Sequence, residues 1–190
     1  ALTHAIEAYV SLNASPLSDM CARKAIEMIG QNLRTAVSNG NHREARSNMA
    51  IASSIAAVAF INGGLGVVHG IAQAMGGAAH VPHGEGNALI LPYAMKRNLV
   101  GNLEKFKNIA VALGENVNGL SLREAAEMSV KAALELAKDI GVPLKLTEVG
   151  VTREHFPMII KGTMEYRLLT VNPCKMTEKD IEDILESAYE

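Results

Sequence analysis

Apolar residues recur at three- and four-residue intervals along nearly the whole chain. Leu2, Ile6, Tyr9 and Val10 fall on one face, which predicts a helix over residues 2–12. Ser15-Pro16 reads as an N-cap followed by proline in the first helical position. A helix from Pro16 to Val37 should carry Met20, Ala25, Ile26, Ile29 and Leu33 and stop at Asn39-Gly40. Asn41 and Glu44 have capping-box spacing ahead of a small-residue helix that reaches Phe60. Gly63, Gly64 and Gly66 interrupt the pattern. The next helix holds His69 and is expected to end near Gly76-Gly77. Another runs from Gly84 to Arg97, with Pro92 bending it. Residues 99–118 read as the most loop-like part of the middle. Ser121 and Glu124 form a capping box for a helix that ends at Ile140, before Gly141 and Pro143. Thr152 and Thr177 should cap helices over 153–164 and 178–189. No stretch alternates with period two between turn signals. The fold class expected is therefore all-α, a multi-helix bundle of eight or nine helices forming one domain over residues 1–190.

Composition narrows what such a bundle does. Of 190 residues, 48% are hydrophobic, enough for a full core. Eighteen basic residues against 20 acidic ones give a net charge of −2, which argues against a nucleic-acid-binding face. No apolar run is long enough to span a membrane, and the first residues lack a signal-peptide pattern. Cys21 and Cys174 lie far apart and read as free thiols, which points to a reducing, cytoplasmic setting. Tryptophan is absent, so no aromatic platform for sugars or bases is evident. The helical pattern is already running at Ala1 with no capping residue ahead of it, so the chain is expected to be a piece of something larger.

Candidate chemistry concentrates in VVHGIAQAMGGAAHVPHGEGNALILP, residues 67–92, which holds His69, His80 and His83 among small residues and almost no charge. His69 and Gln73 share a helix face at a four-residue spacing. His83 sits between Pro82 and Gly84, where a loop enters a helix. His4 is a lone imidazole on an apolar face of the first helix. Any one of these, taken singly, fits a core histidine bonded to a backbone carbonyl. Together, in a helical chain with six histidines, they suggest a metal centre, although no tight motif such as HExxH is present. His80 is a fourth ligand or a pocket-lining residue. His42 and His155 read as surface residues. Gly64-Leu65-Gly66 imitates a dinucleotide fingerprint, but no strand precedes it and the spacing to Gly70 is one residue too long.

ALTHAIEAYVS, GLGVVHGIAQAMGGAAHVPHGEGNALILPYAMKRN, DIGVPLKLTEVGV and NPCKMTEKDIEDILESAY resemble the iron-containing (group III) alcohol dehydrogenases, and the likeness covers essentially the whole chain. The resemblance implies the C-terminal all-helical domain of the dehydroquinate synthase-like fold, with the family's N-terminal NAD- or NADP-binding α/β domain absent from this chain. It implies a divalent metal, Fe(II) or Zn(II), held by His4, His69, His83 and an aspartate that would fall immediately before Ala1. It places Gln73 beside the nicotinamide, as a catalytic and cofactor-binding position where many relatives carry histidine. Gln hydrogen-bonds but does not titrate near neutral pH, which alters any proton relay through that position. His80 stands where many relatives have a smaller or amide residue. The activity implied is interconversion of a small alcohol and its aldehyde or ketone by metal-assisted hydride transfer, in an intact protein that forms a homo-oligomer. The isolated 190-residue chain is expected to bind metal weakly and to be inactive. Two other readings stay open: a glycerol-dehydrogenase-like zinc enzyme domain, suggested by His83-Gly84-Glu85, and a non-catalytic helical metal-binding or interaction module.

Overall fold

The computed structural model describes residues 1–189. Nine α-helices and four short 3-10 turns account for the elements among them, and no strand is present among the described residues. The helices are α1 (Leu2–Val10), α2 (Pro16–Ser38), α3 (Arg43–Gly63), α4 (Val67–Ala79), α5 (His83–Asn98), α6 (Leu103–Ala112), α7 (Leu122–Asp139), α8 (Phe156–Met164) and α9 (Glu178–Tyr189). One buried cluster runs through them, with Ile6, Ile26, Ile71, Met75, Leu89 and Phe106 at its centre. No single helix is long and apolar enough to cross a membrane. The pair α3–α4 would pass on length and composition, but its members meet at 103°.

Small residues set the spacing of the helices that matter for the site. The buried side of α3 is Ala45, Ala52, Ala56, Ala59 and Gly63, so α2 packs along it closely. A side chain on Gly63 would lie 3.0 Å from the Ala8 carbonyl, so glycine there lets α1 rest directly on the end of α3. Helix α4 is wedged between α5 and α8 in the same way. Gly70 abuts Thr163 and Tyr166, Gly162 abuts Ala74, and Gly86 abuts Ala72. Interfaces without long side chains leave little room for sliding, so residues on α1, α4 and α5 hold fixed places relative to one another.

Several boundaries differ from those expected. Residues 99–118 are not mainly loop. Leu99–Gly101 form a 3-10 turn and α6 follows, capped by Asn102, whose side-chain oxygen accepts from the Lys105 amide at 3.1 Å. Glu104, Lys105 and Lys107 mask the apolar stripe Phe106, Ile109 and Ala110, and burial of that stripe against the core stabilises the helix despite its shortness. Helix α4 runs through Gly76 and Gly77 to Ala79, because a helical glycine costs only about 1 kcal/mol and the packing of Met75, Ala78 and Ala79 offsets it. The capping box at Asn41 does not form. His42 is the N-cap of α3, its Nδ1 accepting from the Ala45 amide at 3.2 Å. The helix expected over 153–164 divides into a 3-10 turn, Arg153–His155, and α8. The boxes at Ser121 and Thr177 form with Glu124 and Asp180.

Phe106→Ala tests whether α6 is a packed element. Deleting a fully buried ring should cost about 3–5 kcal/mol in urea unfolding. A loss under about 1 kcal/mol would mean that the segment is peripheral.

Candidate metal and catalytic centre

Three imidazoles from three helices meet at the mouth of a pocket. His4 lies on α1 one turn before Ala8, the residue that rests on Gly63. That register brings its ring over Phe60, one turn before the end of α3, with centroids 4.5 Å apart. The other face of His4 stacks on His69 of α4 at 4.6 Å. His69 in turn faces His83, the first residue of α5, at 5.5 Å and 55°. The pocket beside them has a volume of about 240 Å³. Its walls are mainly apolar, with Ile29 and Leu33 of α2, Leu91 of α5, and Leu136 and Ile140 at the end of α7.

The surroundings keep two of these rings, His4 and His83, uncharged. Burial, followed by repulsion from His69, pushes the His4 pKa down to about 4. The same two causes, in the same order, lower that of His83. A neutral imidazole offers a nitrogen lone pair, which is the form a metal ion takes. Among the described residues no three His, Cys, Asp or Glu side chains already form a coordinating cluster, and the three imidazoles meet ring to ring. The donor type and proximity nonetheless fit a divalent cation of the borderline class.

His69 is anchored from behind by Glu7, a residue to which the sequence reading assigned no role. Its Nδ1–H donates to Glu7 Oε2 at 2.5 Å, and both side chains are nearly inaccessible, at 6% and 4%. Glu7 Oε1 accepts from the Val68 amide at 2.7 Å. The adjacent Val67 amide donates to Asn172 Oδ1 at 3.1 Å. These two bonds satisfy the start of α4, whose N-cap, Gly66, has no side chain to do so. A side chain on Gly66 would stand 2.5 Å from Asn172 Oδ1 and 3.0 Å from Glu7 Oε1. The glycine is therefore what lets two distant side chains reach the helix end. A clue lay in the sequence. Glu7 is the only carboxylate in α1, and α4 begins without a capping side chain.

His83 has a different support. Asn87, one turn further along α5, donates from Nδ2 to the His83 carbonyl at 2.9 Å and lies 3.0 Å from His83 Nε2. Asn87 Oδ1 is buried without a partner among the described residues.

Two other expected residues lie outside the lining of this pocket. Gln73 is one turn beyond His69 on α4 but is exposed, and it lines a separate depression with Ala74, Gly162, Tyr166 and Arg167. His80 caps α4 in the left-handed conformation, φ 55°, and is exposed outside the pocket lining. His42 and His155 are cap residues at the surface.

Residues 1–189 match the model of the Fe-containing alcohol dehydrogenase family, C-terminal region. The chain belongs to the iron-containing alcohol dehydrogenases. It is 44% identical over 189 residues to the 1,3-propanediol dehydrogenase of Citrobacter freundii, covering all of this chain and 49% of that protein. It is 42% identical over 188 residues to the NAD-dependent methanol dehydrogenase of Bacillus methanolicus, covering 99% of this chain and 49% of that one. A crystal structure of a 1,3-propanediol oxidoreductase superposes with a TM-score of 0.97 at 42% identity, over 99% of this chain and 49% of its own. The chain thus spans about half the length of the curated relatives it matches, and it corresponds to the C-terminal domain of the iron-containing alcohol dehydrogenase family. The all-α bundle expected from the apolar spacing is the fold of that domain.

Two glycines test the architecture of this iron-dehydrogenase domain. Gly66→Ala should destabilise by about 1–3 kcal/mol, because the new methyl group has no room between the capping side chains. Gly77→Ala, with nothing within 4 Å, should stabilise α4 by about 0.5–1 kcal/mol. Chemical denaturation checks both, and equal effects would contradict the role given to Gly66.

Proposed function

We propose that His4, His69 and His83 hold a divalent metal, Fe(II) or Zn(II), in an NAD(P)-dependent dehydrogenase of short-chain alcohols, of which this chain supplies the metal-binding half. The observation that carries the reading is the meeting of three rings from α1, α4 and α5 beside an apolar pocket, two of them held neutral. Family membership gives that geometry its chemical sense. Neutral imidazoles suit iron(II) and zinc(II) alike. A divalent ion held there supplies Lewis acidity, which lowers the pKa of an alcohol oxygen and so favours loss of hydride from its carbon.

The chain's own residues handle the rest. The aliphatic walls from Ile29, Leu33, Leu91 and Leu136 receive the carbon skeleton and exclude water. The volume of about 240 Å³ favours a short chain. Phe60 backs His4 and limits its motion. An N-terminal nucleotide-binding half of the polypeptide would hold NAD or NADP as the hydride acceptor, a reading supported by coverage of only 49% of each relative. Gln73, exposed on α4, would be available to that nucleotide as a hydrogen-bonding side chain. A homo-oligomeric, cytoplasmic protein remains part of this reading.

The test is metal content and alcohol-dependent reduction of NAD(P) in the full-length polypeptide. Wild type should retain one divalent ion per chain. His4→Ala, His69→Ala and His83→Ala should each weaken binding by at least about 100-fold, beyond the range typical of outer-shell partners, and should abolish turnover. Stoichiometric metal in all three variants would remove these residues from the site. Metal binding without any alcohol-dependent turnover would favour a non-catalytic module.

A further inference from the structure

Among the described residues Glu7 has no lysine or arginine partner. Its bonds go to the Val68 amide and the His69 ring. Leaving a carboxylate 4% exposed among helices is costly, and capping α4 alone does not require a charge. Asn172, a neutral amide, caps the neighbouring amide of the same helix end. What distinguishes the two acceptors is the second oxygen of Glu7, which takes the Nδ1–H of His69.

We propose that Glu7 is the positioning residue of the centre: its carboxylate, fixed by the Val68 amide, holds His69 in the Nδ1–H tautomer and so presents Nε2 to the pocket as a lone pair. This rests on the reading of His69 as a metal ligand. A ring with its proton on Nε2 has no lone pair to offer there. The carboxylate enforces the useful tautomer because both its oxygens are acceptors only. Glutamine at position 7 has one oxygen and one NH2 group. If its oxygen keeps the Val68 amide, its NH2 faces Nδ1, which must then accept, and the proton moves to Nε2. An isosteric change that preserves packing therefore reverses the tautomer. Gly66 belongs to the same device, since a methyl group there would displace the carboxylate from the helix end.

The experiment compares wild type, Glu7→Gln and Asn172→Ser in the full-length polypeptide. Two readouts are taken: the ¹⁵N chemical shifts of the His69 ring above the ordinary histidine titration range, and Zn(II) affinity by chelator competition. Wild type should show the Nδ1–H tautomer. Glu7→Gln should shift His69 toward Nε2–H and weaken Zn(II) binding by about 10–100-fold, the range seen when a ligand's outer partner is removed. Asn172→Ser should lower stability, with neither the tautomer nor the affinity changed by more than about twofold, because Asn172 bonds the Val67 amide, Asn98 and the Cys174 carbonyl but not the His69 ring. Wild type that binds Zn(II) alongside a Glu7→Gln variant with unchanged tautomer and affinity would overturn the positioning role alone. Wild type that binds no Zn(II) would overturn the metal reading, and the positioning role with it.

Discussion

A single buried carboxylate ties the structure together. Glu7 reaches from α1 to α4, where it accepts from the Val68 amide and from the Nδ1–H of His69. Without that bridge the start of α4 loses one of its two side-chain caps and the His69 imidazole loses its anchor. The surrounding packing exists on terms compatible with it. Gly66 is small enough to let the carboxylate through, and Gly63 lets α1 lie close enough to deliver it. His4, three residues before Glu7 on the same helix, arrives beside His69 as a consequence of the same placement. One helix thus carries an imidazole and the anchor of its neighbour.

The physical cost of the arrangement also explains its location. A charged group and three imidazoles are gathered at the junction of α1, α4 and α5, while the deeper walls of the pocket are aliphatic. Burial lowers the proton affinity of His4 and His83 and keeps them in the uncharged state. An uncharged imidazole set next to a low-polarity cavity can take a cation, and under the proposed function the cavity would exclude water from the substrate. Small residues make this possible. Gly70, Ala72, Ala74, Gly86 and Gly162 bring α4, α5 and α8 to near-backbone contact, so the ligand-bearing faces are held on rigid elements.

Much of this was legible in the chain. The apolar spacing gave the helices and their approximate bounds, and His4, His69 and His83 stood out as imidazoles in apolar company. What was not legible depended on long-range partners. Glu7 looks like any helix carboxylate until α4 is seen to begin without a cap. Asn172, which completes that cap, is separated from Val67 by 105 positions. Helix α6 was obscured because charged residues crowd its short apolar stripe. The end of α4 was misplaced because Gly76-Gly77 reads as a stop locally, whereas packing on either side carries the helix past it. His42 as an N-cap was hidden by Asn41, the more usual capping residue.

The central claim is that imidazoles from α1, α4 and α5 share one cation. X-ray absorption spectroscopy of the Zn(II)-loaded full-length polypeptide tests it most directly, because outer-shell scattering counts imidazole ligands. The account predicts the signature of three imidazoles, falling to two in His4→Ala. A first shell of oxygen alone, or a spectrum indifferent to His4, would contradict it.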